Sequence, residues 1–133
     1  MRTTDKPGQT SAAREFDREA NTVPMARSWV TSVYADFDAS KEVVDVCALL
    51  VSEVVTNAVV HGKGEKYVVV VCPDLWIEVW DEAPELPHRR AHAVDSTFGR
   101  GIELLEMLAP GYQVVQDTTR GGKEVRFLPR RWE

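Results

Sequence analysis

Leu49-Leu50-Val51-Ser52-Glu53-Val54-Val55-Thr56-Asn57-Ala58-Val59-Val60-His61-Gly62 is the stretch on which the reading of this chain turns. It is mostly apolar, without proline, and stops at a glycine, which predicts the second half of a helix. Glu53, Asn57 and His61 recur every four residues. On a helix of ~3.6 residues per turn such a step rotates about 40°, so the three side chains form one stripe. Working back, Ser40 and Asp38 can each accept a first-turn amide, whereas Ala39 cannot, and the helix is expected over 41–61. Val43, Cys47, Leu50, Val51, Val54 and Ala58 fall within an arc of roughly 100° that must face a sheet. His61 falls inside that arc, Asn57 close to its edge, and Glu53 further out. A solvated Glu53 and a terminal His61 near the helix dipole's negative end would need no further explanation. An asparagine among valines does need one, because a polar group beside an apolar face costs free energy unless something binds it. A carboxylate and a carboxamide one turn apart offer acceptor oxygens to a hydrated divalent cation and to a hydroxyl nucleophile.

Beyond this helix the pattern changes period. Tyr67-Val68-Val69-Val70-Val71-Cys72 is a β-branched run, Pro73-Asp74 a turn, and Leu75-Trp76-Ile77-Glu78-Val79-Trp80 a second run with its aliphatic residues on one parity. This predicts a hairpin with a two-residue connection. Asp81 continues the inward parity of Leu75, Ile77 and Val79. It is either a strand-end residue capping a turn or a pocket-floor acceptor for a ligand amine. Residues 82–98 carry Pro84, Pro87 and charges of both signs without periodicity, a long loop of the kind that more often serves function. Gly99-Arg100-Gly101-Ile102 then opens a helix to about Leu108, and free amides at such a helix start attract phosphate oxygens. Strands are expected at 112–117 and 123–128, with Gly121-Gly122 in the turn between them. His88, His92 and Asp95 read as solvated loop residues rather than metal ligands.

Before the central helix, residues 1–13 read as a mobile, polar tail, and 14–133 as one domain. A short strand or approach segment is expected within 14–20, and a first helix over 23–37 with Pro24 in its first turn. The order helix, helix, strand, strand, loop, helix, strand, strand predicts an α+β fold, a two-layer sandwich of helices on a mostly antiparallel sheet. Of the 133 residues 44% are hydrophobic and 28% charged, with a net charge of −5. That balance suits a soluble globular domain and argues against a broad nucleic-acid surface. No uninterrupted apolar run of about 18 residues suggests a membrane span, and the first residues lack a signal-peptide pattern. Cys47 and Cys72 fit buried thiols of a reducing, cytoplasmic setting better than a disulfide or a zinc site.

These pieces, in this order, resemble the Bergerat-type (GHKL) ATPases: gyrase, ATP-driven heat-shock chaperones, histidine kinases and mismatch-repair ATPases. Glu53-x-x-x-Asn57-x-x-x-His61-Gly62 is similar to the family's N box, Asp81 to the aspartate of its first glycine box, and Gly99-Arg100-Gly101-Ile102 to its second. The wording of residues 49–62 is closest in kind to short serine/threonine kinases that act as anti-sigma factors, abundant in actinobacteria, and the resemblance spans about 14–128. It implies ATP and Mg²⁺ as cofactors, with Asn57 as metal ligand and Glu53 as the general base that deprotonates a substrate hydroxyl. Asp81 would accept from the adenine amino group, Gly99, Gly101 and Ile102 would hold phosphates, and 82–98 would form a lid. His61 would line the pocket edge, and Arg100 would meet a phosphate or the partner. The implied partners are a sigma factor, which would be sequestered, and an anti-anti-sigma protein, which would be phosphorylated. A homodimer is also implied. From the length, neither a topoisomerase, a chaperone nor a complete sensor kinase is expected.

The chain departs from the family at Asp81-Glu82-Ala83-Pro84-Glu85, where the family has Asp-x-Gly-x-Gly. Ala83 puts a methyl where a glycine lets the backbone approach the base, at a cost of order 1–3 kcal/mol if it clashes. This keeps a second reading open: a nucleotide-binding partner-switch module with weak or no turnover.

Overall fold

The structure is a computed structural model that describes residues 10–83 and 103–130. Its elements are β1 (Ala12–Asp17), a 3₁₀ turn (Ala20–Thr22), α1 (Val23–Asp36), α2 (Lys41–His61), β2 (Lys66–Val71), β3 (Ile77–Asp81), β4 (Gln113–Gln116) and β5 (Lys123–Phe127). Residues 103–108 are also helical. The five strands form one sheet in the order β1-β2-β3-β5-β4, every pairing antiparallel. Helices packed on one face of this sheet make the expected α+β sandwich.

The central helix has the predicted bounds. Ser40, rather than Asp38, caps it: the Ser40 Oγ accepts from the Val43 amide at 3.3 Å. Asp38 instead takes a left-handed φ of 60° in the turn after α1. Cys47, Leu50, Val51, Val54, Val55 and Ala58 are buried. By length and composition α2 could cross a membrane. Here its apolar face packs with the sheet and α1 in one core with Val30, Tyr34, Tyr67, Val69, Ile77, Val79 and Phe127. The far end of α2 is tied down by Arg18, which follows β1. Its guanidinium donates to the Val59 carbonyl at 2.5 Å and to the Gly64 carbonyl at 2.7 Å. These bonds satisfy a last-turn carbonyl that no helical amide can reach.

Two expectations are corrected. β1 begins at Ala12, so the last two residues of the expected tail belong to the sheet. Phe16 stacks on Tyr67 of β2 (ring centroids 5.5 Å) and meets Trp29 of α1 edge-on. The hairpin connection is longer than two residues, because β2 ends at Val71 and β3 starts at Ile77. Leu75 leaves the strand with a φ of 75°, donating its amide to the Cys72 carbonyl, while Asp74 Oδ1 accepts from the Trp76 amide. The Cys72 amide still donates to the Trp76 carbonyl at 2.9 Å, so Leu75 is an extra, left-handed residue that lengthens the connection.

Cys47 and Cys72 are buried free thiols. Burial pushes the Cys47 thiol up to about 12 from 9.0, against a smaller opposing effect of its hydrogen bond with Tyr34. The folded thiol holds its proton more tightly than the unfolded one. Its contribution to stability is therefore complete below pH 9 and is lost as pH rises toward about 12. At pH 8 we expect Cys47 to resist iodoacetamide until the protein unfolds, which mass spectrometry along a denaturant series would read out. Rapid labelling of the native protein would contradict this burial.

Candidate functional site

Asp81 is the last residue of β3 and, as its parity predicts, points inward with Ile77 and Val79. It is 3% exposed. Both carboxylate oxygens are engaged. Oδ1 accepts the Ala83 amide at 2.7 Å, closing a tight turn at the strand end. Oδ2 accepts from the Lys123 ammonium at 2.6 Å. Asp81 thus caps its own turn, and it also lines a cavity.

That cavity is about 30 Å³, room for a water or two. Asn57, His61, Asp81 and Lys123 line it, against an apolar wall that includes Val54, Val79, Leu105 and Val125. α2 supplies Asn57 and His61, β3 supplies Asp81, and β5 supplies Lys123. His61 is exposed and stands at the rim. Glu53 is half-buried one turn back from Asn57 and is not among the residues lining the cavity. Thr56 spends its hydroxyl within the helix, donating to the Ser52 carbonyl at 2.6 Å.

Asn57 carries the most informative atom. Its Oδ1 is buried and has no hydrogen-bond partner among the described residues. A buried carbonyl oxygen left unpaired costs about 1–3 kcal/mol, so folding alone gives no reason to keep it. A neutral amide oxygen is a hard donor of the kind Mg²⁺ accepts, and Mg²⁺ commonly takes only one or two protein ligands while keeping waters and phosphate oxygens. The described residues hold no group of three or more His, Cys, Asp and Glu that could cage a metal by themselves. Asn57 therefore fits a magnesium ion that arrives with a phosphate-bearing ligand.

Two glycines shape the space around Asp81. Gly62 follows α2 with an extended backbone (φ −74°, ψ −179°), so it is not needed there for a left-handed turn. It is needed for room, since a Cβ would lie 2.1 Å from the Ala58 carbonyl oxygen and 3.1 Å from the Asp81 Cγ. Gly122 does take a left-handed φ of 80°, and a Cβ there would lie 2.1 Å from the Asp81 carbonyl oxygen. Gly121-Gly122 is thus the expected turn, and it also seats β5 against Asp81.

Ala83 is 2% exposed, and its amide holds Asp81 in place. Gly99, Arg100, Gly101 and Ile102 lie outside the described residues, as do His88, His92, Asp95 and 84–98 of the expected lid. Lys123 is the site residue that the sequence reading missed. A faint signal existed: Lys123 shares parity with Phe127, a large apolar residue suited to the core.

The chain matches the histidine kinase-like ATPase domain over residues 16–128. It is 32% identical over 115 residues to the anti-sigma F factor of Clostridium acetobutylicum, covering 81% of this chain and 69% of that protein. Its fold is similar to the crystal structure of the RsbU and RsbW domains of Rv1364c from Mycobacterium tuberculosis (TM-score 0.61, 17% identity). That match covers 94% of this chain and 35% of the longer mycobacterial chain. With an antiparallel sheet under two packed helices and a family match over most of its length, the chain belongs to the histidine kinase-like ATPase domain family, the Bergerat-fold group related to anti-sigma-factor kinases.

Proposed function

We propose that this protein binds ATP with Mg²⁺ and acts as a serine/threonine protein kinase of the anti-sigma type, holding a sigma factor and phosphorylating an anti-anti-sigma protein in the cytoplasm. The observation that carries the reading is the buried, unpartnered Oδ1 of Asn57, a residue that lines the same cavity as Asp81. Asn57 would ligate the ion, Asp81 would take the adenine amino group, the amides around Gly99, Gly101 and Ile102 would hold the phosphates, and Arg100 would meet a phosphate or the partner. Magnesium, when bound, neutralises charge on the phosphates. Glu53 would be the base: it sits one helical turn from Asn57 and outside the cavity wall. Glu53→Ala should abolish phosphate transfer to the anti-anti-sigma substrate while Mg-ATP still binds, as radiolabel transfer and calorimetry would show. Loss of binding together with transfer would remove Glu53 from the role of base.

A second reading is a nucleotide-binding switch without turnover. The observation that favours it is Ala83, buried where the family carries a glycine and with its amide bound to Asp81 Oδ1. Mg-ATP binding without transfer to any anti-anti-sigma candidate would select this reading.

A further inference from the structure

The ion pair between Lys123 and Asp81 is a cross-strand pair. The two residues face each other in the β3–β5 register and lie 42 positions apart in sequence. Lys123 is 8% exposed, an unusual place for a lysine, and its hydrogen bond among the described residues goes to Asp81 Oδ2. An ammonium has three N–H donors, so two remain uncommitted among the described residues. A carboxylate oxygen has two lone pairs, so Oδ2 can accept once more. Both atoms belong to residues that line the cavity, as does Asn57, whose buried Oδ1 has no partner among the described residues. The cavity floor therefore presents a donor and an acceptor side by side, 2.6 Å apart. Both retain capacity, and both are largely shielded from water.

We propose that Lys123 and Asp81 together form a two-point recognition edge, with Lys123 as a specificity-determining residue. The edge reads a planar heteroaromatic ring that carries an amino group next to an unprotonated ring nitrogen. This rests on the ATP reading above and deepens it. Asp81 Oδ2 accepts from the adenine amino group while the Lys123 ammonium donates to N1, which is bonded to the same carbon. Adjacent positions on one ring edge suit two polar atoms this close, since both hydrogen bonds then run in parallel. A ring needs more room than about 30 Å³, so binding widens the cavity. The exposed His61 and the four-carbon stem of Lys123 are lining groups able to shift.

The test is a comparison of nucleotides by calorimetry on the full chain with Mg²⁺. The wild-type protein should bind 1-deaza-ATP, in which N1 is a C–H, roughly 10-fold or more weakly than ATP, because a buried ammonium loses its acceptor. It should bind 7-deaza-ATP about as well as ATP. In Lys123→Met the difference between ATP and 1-deaza-ATP should vanish. Equal wild-type affinity for ATP and 1-deaza-ATP would overturn the proposal, as would a loss with 7-deaza-ATP in its place. Tighter ATP binding by Lys123→Met would also overturn it, by showing that the lysine plugs the site. If Lys123→Met does not fold, the wild-type series decides alone. A folded wild-type protein that binds no adenine nucleotide would sink the ATP reading together with this inference. The other overturning results leave that reading standing.

Discussion

Asp81→Ala should lower stability by about 3–5 kcal/mol, the usual consequence of stranding one half of a buried ion pair. The stranded partner is the Lys123 ammonium, which loses the Oδ2 acceptor it holds at 2.6 Å. The Ala83 amide loses its acceptor as well. The double variant Asp81→Ala, Lys123→Met should be more stable than Asp81→Ala alone, because no unpaired charge remains and an apolar pair can often replace a buried ionic one. Both variants should lose nucleotide binding. Urea denaturation gives the stability order and calorimetry the binding. A double variant as unstable as the single one would mean that the lost packing around Asp81, rather than the ion pair, sets the cost.

Gly122→Ala should be the most damaging of the small glycine substitutions, at roughly 3 kcal/mol or more, summing a left-handed backbone penalty and a steric collision. The added Cβ would lie 2.1 Å from the Asp81 carbonyl oxygen and 2.9 Å from the Glu82 Cα. Both obstacles are backbone, so no side-chain rotation relieves them. The neighbouring Gly121 supplies the control. Its φ is +82°, but nothing lies within 4 Å of an added Cβ, so Gly121→Ala should cost only about 1 kcal/mol. Thermal melts of the two variants would separate them. Equal losses would show that φ alone governs the turn and that contact with Asp81 adds nothing.

Much of this architecture was legible from local pattern. A long amphipathic helix and strands with one inward parity are written in spacing, which is why α2 has the expected bounds. For the same reason Asp81 lies on the expected face. The turn after Cys72 and the cap at Ser40 were read less well. Each depends on which of several near-equivalent hydrogen bonds forms, and the differences among them are about 1 kcal/mol. The reading of Ala83 as a methyl in the way of a ligand missed its amide, because a backbone donor has no sequence signature.

By itself, the sequence determined the family, the sandwich of helices on an antiparallel sheet, and the stripe that sets Asn57 beside His61. These follow from the repeat of the α-helix and the alternation of the β-strand, which need no knowledge of distant residues. Only the tertiary structure decided what meets Asp81. β3 pairs with β5, leaving β4 at the sheet's edge, and this ordering sets Lys123 opposite Asp81 across 42 residues of chain. Cross-strand register depends on which strands pair, and that is settled by packing the whole sheet against α2 rather than by any short stretch of residues.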